Sequence, residues 1–192
     1  MSGHCHRVRL AASLMNIPYE AKPISEFEGE RKGPEFLGIN PFGEIPVVVD
    51  GDVTLRDSNA IIIYLAEKYG SDGTWMPSDV AVRAHVHEWL AVAASHIYQG
   101  PNMARLVKLF SKPVDYDAAV AVSENLFKIM DSALNGKSWL VGENPTLADI
   151  ACYSYVRVAD DGGLDTSGYS NIQTWLANVE KLDGFEPMPR PG

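Results

Sequence analysis

The sequence predicts an α/β N-terminal domain followed by an all-α C-terminal domain. A turn, a β-branched run and an Asp-Gly pair over residues 41–55 signal a β-hairpin set between helical segments. Gly73 and Pro77 punctuate a short linker. From Asp79 onward no strand signal remains and the apolar spacing is helical. The expected division is a first domain over 1–70, a linker over 71–78 and a helical domain over 79–192.

In chain order, Ser2-Gly3-His4-Cys5 is a polar turn that enters a helix with Val8, Ala11, Ala12 and Met15 on one side. That helix should stop near Asn16, ahead of Ile17-Pro18. Tyr19 to Ile24 reads as a short strand. Glu26 to Gly38 is polar and broken by Gly29, Gly33 and Pro34, a loop with one helical turn at Glu35-Phe36-Leu37. Asn40-Pro41-Phe42-Gly43 is turn material, because Pro sets φ and Gly permits positive φ. Val47-Val48-Val49 suits a pleated strand, and Val53-Thr54-Leu55 is its return. Pro46 stands at the mouth of the first strand, where its missing N–H is tolerated, and Ile45-Pro46 is the bond type that can be cis. Asp57-Ser58-Asn59 then caps a helix over Ala60 to Tyr69. N–H groups at such a start, with a hydroxyl and a carboxylate beside them, suit the ends of a small zwitterion.

Beyond the linker, Val82, Val86, Trp89, Leu90 and Ala93 form one stripe that meets a break at Gln99-Gly100-Pro101, which kinks the helix or splits it in two. Met103 to Phe110 continues it until Ser111-Lys112-Pro113. Tyr116 to Leu134 is the next helix, closed by Asn135-Gly136-Lys137. Thr146 with Asp149 three residues on is a capping box that opens another helix. A last helix spans Ile172 to Leu182 before Gly184-Phe185.

The 192 residues carry a formal charge of −9, which argues against nucleic acid or an anionic membrane as partner. Cys5 and Cys152 fall in different predicted domains, which argues against a disulfide framework and for a reducing compartment. No apolar run is long enough to span a bilayer and no signal-peptide pattern opens the chain, so a cytoplasmic, soluble protein is expected. His4-Cys5-His6 is no metal site, since positions two apart on a helix do not share a face. The same holds for His85 and His87, which read as one core and one solvated position.

The run from Asn40 to Gly51, with Leu55-Arg56-Asp57-Ser58-Asn59-Ala60 and the helix after it, closely resembles the glutathione-binding half of cytosolic glutathione S-transferases, bacterial Ser-type members of theta or zeta character. Thr146-Leu147-Ala148-Asp149-Ile150-Ala151 resembles the buried capping motif of that family's helical domain. The resemblance implies a thioredoxin-like N-terminal domain. The order α-β-(α)-β-β-α matches it with the first, central strand missing. The strand at Tyr19 to Ile24 then has no neighbour, and Met1 is expected to be an internal start or the start of a trimmed protein. By resemblance, the backbone of Ile45 before a cis Pro46 pairs with the cysteinyl backbone of glutathione, and Asp57 and Ser58 hold its γ-glutamyl end. Lys32 sits where some members place a contact to the glycyl carboxylate. Glu44 departs from the Gln or Lys common there and should repel that end.

Ser2 aligns with the hydroxyl that activates the bound thiol in Ser-using classes; its other reading is a helix cap. Cys5, three residues on, reads as a small buried hydrophobe rather than a redox partner. Arg7 and Arg9 could attract glutathione's carboxylates but read first as surface or dimer-interface cations, and Trp89 and Tyr98 read as pocket or core. The expected activity is conjugation of glutathione, as co-substrate, to a hydrophobic electrophile by a homodimer. The alternatives are glutathione-dependent isomerase or peroxidase chemistry, or a non-catalytic glutathione-binding member. Ser2-Gly3-His4 with Arg7-Val8-Arg9 is near the zeta-class pattern, which has Ser-Ser-Cys first, so Gly3 and His4 weaken an isomerase assignment.

Overall fold

The computed structural model describes residues 2–70 and 73–190, so residues 71 and 72 of the expected linker lie outside the described residues. The N-terminal part holds α1 (Gly3–Leu14), α2 (Pro34–Ile39), β1 (Val48–Asp50), β2 (Val53–Leu55) and α3 (Ser58–Tyr69). The helical part holds α4 (Val80–Val92), α5 (Met103–Phe110), α6 (Tyr116–Ala133), α7 (Leu147–Arg157) and α8 (Ser170–Val179). Short polar side chains start most of these helices, as their hydrogen-bonding capacity demands. Ser2 caps α1, Asp57 α3, Asp79 α4, Asp115 α6 and Thr146 α7. At Thr146 the expected capping box is complete, because Asp149 reaches back to the Thr146 N–H at 2.8 Å.

β1 and β2 pair antiparallel with Val48 opposite Leu55 and Asp50 opposite Val53, as the Asp-Gly turn implied. Gly51 supplies the positive φ of that turn at 59°. Among the described residues this is the whole sheet. Tyr19 to Ile24 is not a strand: residues 17–23 run without pairing and Ile24–Glu26 is a 3-10 turn. A strand needs a neighbour for its N–H and C=O groups, and among the described residues none lies beside this segment.

The stripe on α4 runs on through a π-helical segment, Ala93–Asn102, directly into α5. At Gln99-Gly100-Pro101 the helix is thus irregular but not split in two. Pro101 cannot donate an N–H and crowds the preceding turn, and the wider π turn accommodates both effects. Gly100 is required there by close approach, since a Cβ would stand 2.8 Å from Ser123 Oγ on α6. The final helix begins two residues before the expected Ile172 and ends at Val179, short of Leu182. Asp131 on α6 receives the N–H groups of Asn171 and Ile172 at 2.9 and 3.1 Å, a start signal supplied from another helix.

α7 is the centre of the molecule, with every residue from Leu147 to Val156 buried. It packs against α1, α4, α8 and the π segment. Asp149 is buried in this core and receives Leu140 N–H, Thr146 N–H and the Trp175 indole N–H at 2.8–3.0 Å. α1 packs on α3 along one side and on α7 along the other, which joins the two parts of the chain.

Candidate functional site

The first turn of α1 meets the first turn of α3. Ser2 is half-buried, and its hydroxyl oxygen accepts the Cys5 N–H at 3.3 Å, so its proton is left for another acceptor. Gly3 lies against the ring of Tyr155 on α7, where a Cβ would come within 2.5 Å of Cζ. Tyr155 is itself buried, so the start of α1 packs against the helical part of the chain as well as against α3. The His4 ring meets Tyr155 edge-on at 5.1 Å and Tyr98 of the π segment at 6.1 Å. Burial and the Arg7 charge push its pKa down to about 4, so the ring is neutral at physiological pH.

Ser58 is buried at the start of α3. Arg7 Nη1 donates to its hydroxyl at 2.9 Å and to Asn59 Oδ1 at 2.7 Å, and His4 Nδ1 lies 3.4 Å from the same hydroxyl. Asp57 is exposed and uses one carboxylate oxygen to cap the Ala60 N–H. The N–H groups of Ser58 and Asn59 have no acceptor among the described residues.

The loop ahead of β1 is held by buried Asn40, whose side chain donates to Glu44 C=O at 2.7 Å and accepts from Phe42 N–H at 3.1 Å. The Ile45-Pro46 bond is cis. Ile45 N–H and C=O make no hydrogen bond among the described residues, so they are open to an extended backbone. Lys32 Nζ lies beside Gly43, 3.0 Å from where a Cβ would stand, and the Glu44 side chain is exposed on the same loop.

Residues 1–68 match the family model for the glutathione S-transferase N-terminal domain, and residues 92–183 match that for its C-terminal domain. The chain belongs to the glutathione S-transferase family. A transferase structure from Pseudomonas fluorescens Pf-5 is 30% identical with a TM-score of 0.88, covering 97% of this chain and 94% of that one. One from Xanthobacter autotrophicus Py2 is 29% identical, also with a TM-score of 0.88, over 98% and 93% of the two chains. A delta-class transferase of Nilaparvata lugens is 29% identical with a TM-score of 0.85, over 95% and 86%. Glutathione is the co-substrate of this family, and the thioredoxin-like N-terminal domain and helical C-terminal domain are its architecture.

Against that glutathione S-transferase frame, two expectations need correction. Arg7 is neither a surface nor an interface cation: it is 1% exposed, drawn inward by Ser58 and Asn59. Arg9, one side of the helix away, is exposed and pairs with Glu186. His85 and His87 are both exposed, and His85 binds Glu88 at 2.6 Å instead of entering the core. Trp89 is half-buried and packs against the core, whereas Tyr98 is 41% exposed beside His4. Burial pushes the Cys5 thiol up, which keeps it protonated. Among the described residues no group of His, Cys, Asp and Glu could hold a metal ion. No helix among them is long and apolar enough to cross a membrane. His4 and Tyr155 are the residues the sequence reading missed at this site, and Arg7 was read there first as a surface cation. The i, i+3 spacing of His4 and Arg7 on one helix face was the only signal available.

Proposed function

We propose that this transferase conjugates the thiolate of glutathione to a hydrophobic electrophile. The observation that carries the reading is the junction at Ser58, where the α1 turn bearing Ser2 meets the α3 N-terminus through His4 and Arg7. The tripeptide lies extended against Ile45 and cis Pro46, with its γ-glutamyl end at Asp57 and Ser58 and its glycyl carboxylate towards Lys32. Ser2 donates its remaining proton to the cysteinyl sulfur and, with the positive end of α1, favours the thiolate. The sulfur then attacks the electrophilic carbon. A carbon–sulfur bond forms while the leaving group departs with its electron pair, or water protonates the adduct of an activated alkene. Tyr98, exposed beside the start of α1, faces the electrophile.

Residues 1–70 form the glutathione-binding domain, 71–78 the linker and 79–192 the helical domain, in a cytoplasmic homodimer. A second reading, binding without turnover, draws support from the Ser2 hydroxyl already serving as helix cap. Retention on immobilised glutathione and initial rates with 1-chloro-2,4-dinitrobenzene separate the two. Both are expected. Retention without turnover favours the second reading, and neither result with folded protein overturns the first as well.

A further inference from the structure

Two arginines are buried among the described residues, and their surroundings differ. Arg105 is paired with Asp161 at 2.9 Å. Among the described residues Arg7 has no carboxylate partner; Nη1 alone is engaged, while Nε and Nη2 are buried without a hydrogen bond. A guanidinium taken out of water without a counter-ion is strongly unfavourable, so such a charge calls for an anion nearby. The side chains closest to it do not supply one. Cys152 and Tyr155 have their pKa values raised by burial and stay protonated, and His4 is neutral. The Asp57 charge is felt at Arg7, but its carboxylate is exposed, caps Ala60 and makes no ion pair with the guanidinium.

The geometry says where that anion belongs. Arg7 Nη1 points at the first two side chains of α3, a twelve-residue helix whose N-terminal end carries partial positive charge and two N–H groups without acceptors. Asn59 is fixed there, because its amide nitrogen also donates to Leu90 C=O at 2.9 Å. Positive charge from two sources therefore converges on Ser58, one from beneath and one along the helix axis.

We propose that Arg7 is a positioning residue whose buried charge, acting through the Ser58 hydroxyl, is the counterpart of the α-carboxylate of the γ-glutamyl residue bound at the start of α3. This rests on the glutathione-binding reading above. Arg7 polarises Ser58 and orients its oxygen; the ligand carboxylate meets the α3 N–H groups and the field of the guanidinium below them.

The test is a binding cycle with glutathione and a tripeptide lacking only the γ-glutamyl α-carboxylate, measured calorimetrically on the wild-type chain and on Arg7→Met and Arg7→Gln. The wild type should prefer glutathione by about 100-fold, the order expected for a desolvated carboxylate against a positive site. Both variants should narrow that preference below about tenfold. An equal loss for both peptides would mean a merely structural Arg7 and overturn the inference, as would an unchanged preference. In either case the transferase reading stands. A wild type that binds neither peptide removes that reading and this inference together. The wild-type chain also decides the matter without substitution. A buried charge is poorly screened, so the preference should hold within about threefold between 0.05 and 1 M salt. Its collapse would assign the carboxylate to surface cations instead.

Discussion

The Ser2 oxygen accepts the Cys5 N–H and keeps its own proton free, so capping and thiol activation are compatible at one hydroxyl. Ser2→Ala removes both. Conjugation should fall about 100-fold, the scale of losing one donor to a developing anion, and stability by about 1 kcal/mol for the lost cap. Ser2→Asp retains a capping oxygen but offers the sulfur no hydroxyl proton. Activity in that variant should fall as far as in Ser2→Ala with its urea midpoint close to wild type; retained activity would reduce Ser2 to a cap. His4 makes the site sensitive to acid. Its pKa is about 4 in the fold against 6.5 for the free side chain, so between these values the unfolded chain binds the additional proton. Stability from this group is therefore complete above pH 6.5 and declines as pH falls towards 4, by up to about 3 kcal/mol. Urea unfolding at pH 7.5 and 5 should show a smaller difference for His4→Gln than for the wild type.

The helices hold their places by capping and close approach more than by length. Thr146 and Asp149 start α7 with both halves of the box in place, and Trp175 adds its indole N–H from α8. That start was readable because all its parts but Trp175 lie within four residues. The start of α8 was not, since its acceptor is Asp131, forty residues earlier. The π segment tests packing directly. Gly100→Ala pushes a methyl against Ser123 Oγ and the Ser123 N–H, 2.8 and 3.1 Å away. Overpacking of this kind should lower stability by about 1–3 kcal/mol. Thermal unfolding of Gly100→Ala alongside Gly38→Ala, whose Cβ meets nothing within 4 Å, measures it against a neutral control in the other half of the chain.

In the molecule as a whole, α1 belongs by sequence to the N-terminal part and by packing equally to the helical part. His6 bridges Ser154 on α7 and Glu186 C=O at 2.9 and 2.8 Å, and Tyr155 covers Gly3. The hairpin of three-residue strands cannot stand alone, so α3 and α1 depend on α7 for burial. The two parts should therefore unfold together. All four tryptophans, Trp75, Trp89, Trp139 and Trp175, lie beyond α3, so their fluorescence reports the helical part. Its urea transition should coincide with that of far-ultraviolet circular dichroism. A separate early transition in the dichroism alone would show an independently melting N-terminal part.

The sequence by itself determined the hairpin and its turn, the cis-capable Ile45-Pro46 bond, the caps at Asp57 and Thr146, and the family. Each is written in a few adjacent residues whose backbone preferences or short side chains act locally. Only the tertiary structure decided that Tyr19 to Ile24 is unpaired, that Pro101 sits inside a continuing helix, and that Arg7 is buried beneath Ser58. Pairing, helix accommodation and the burial of a charge depend on what another part of the chain brings alongside, and no local pattern encodes that neighbour.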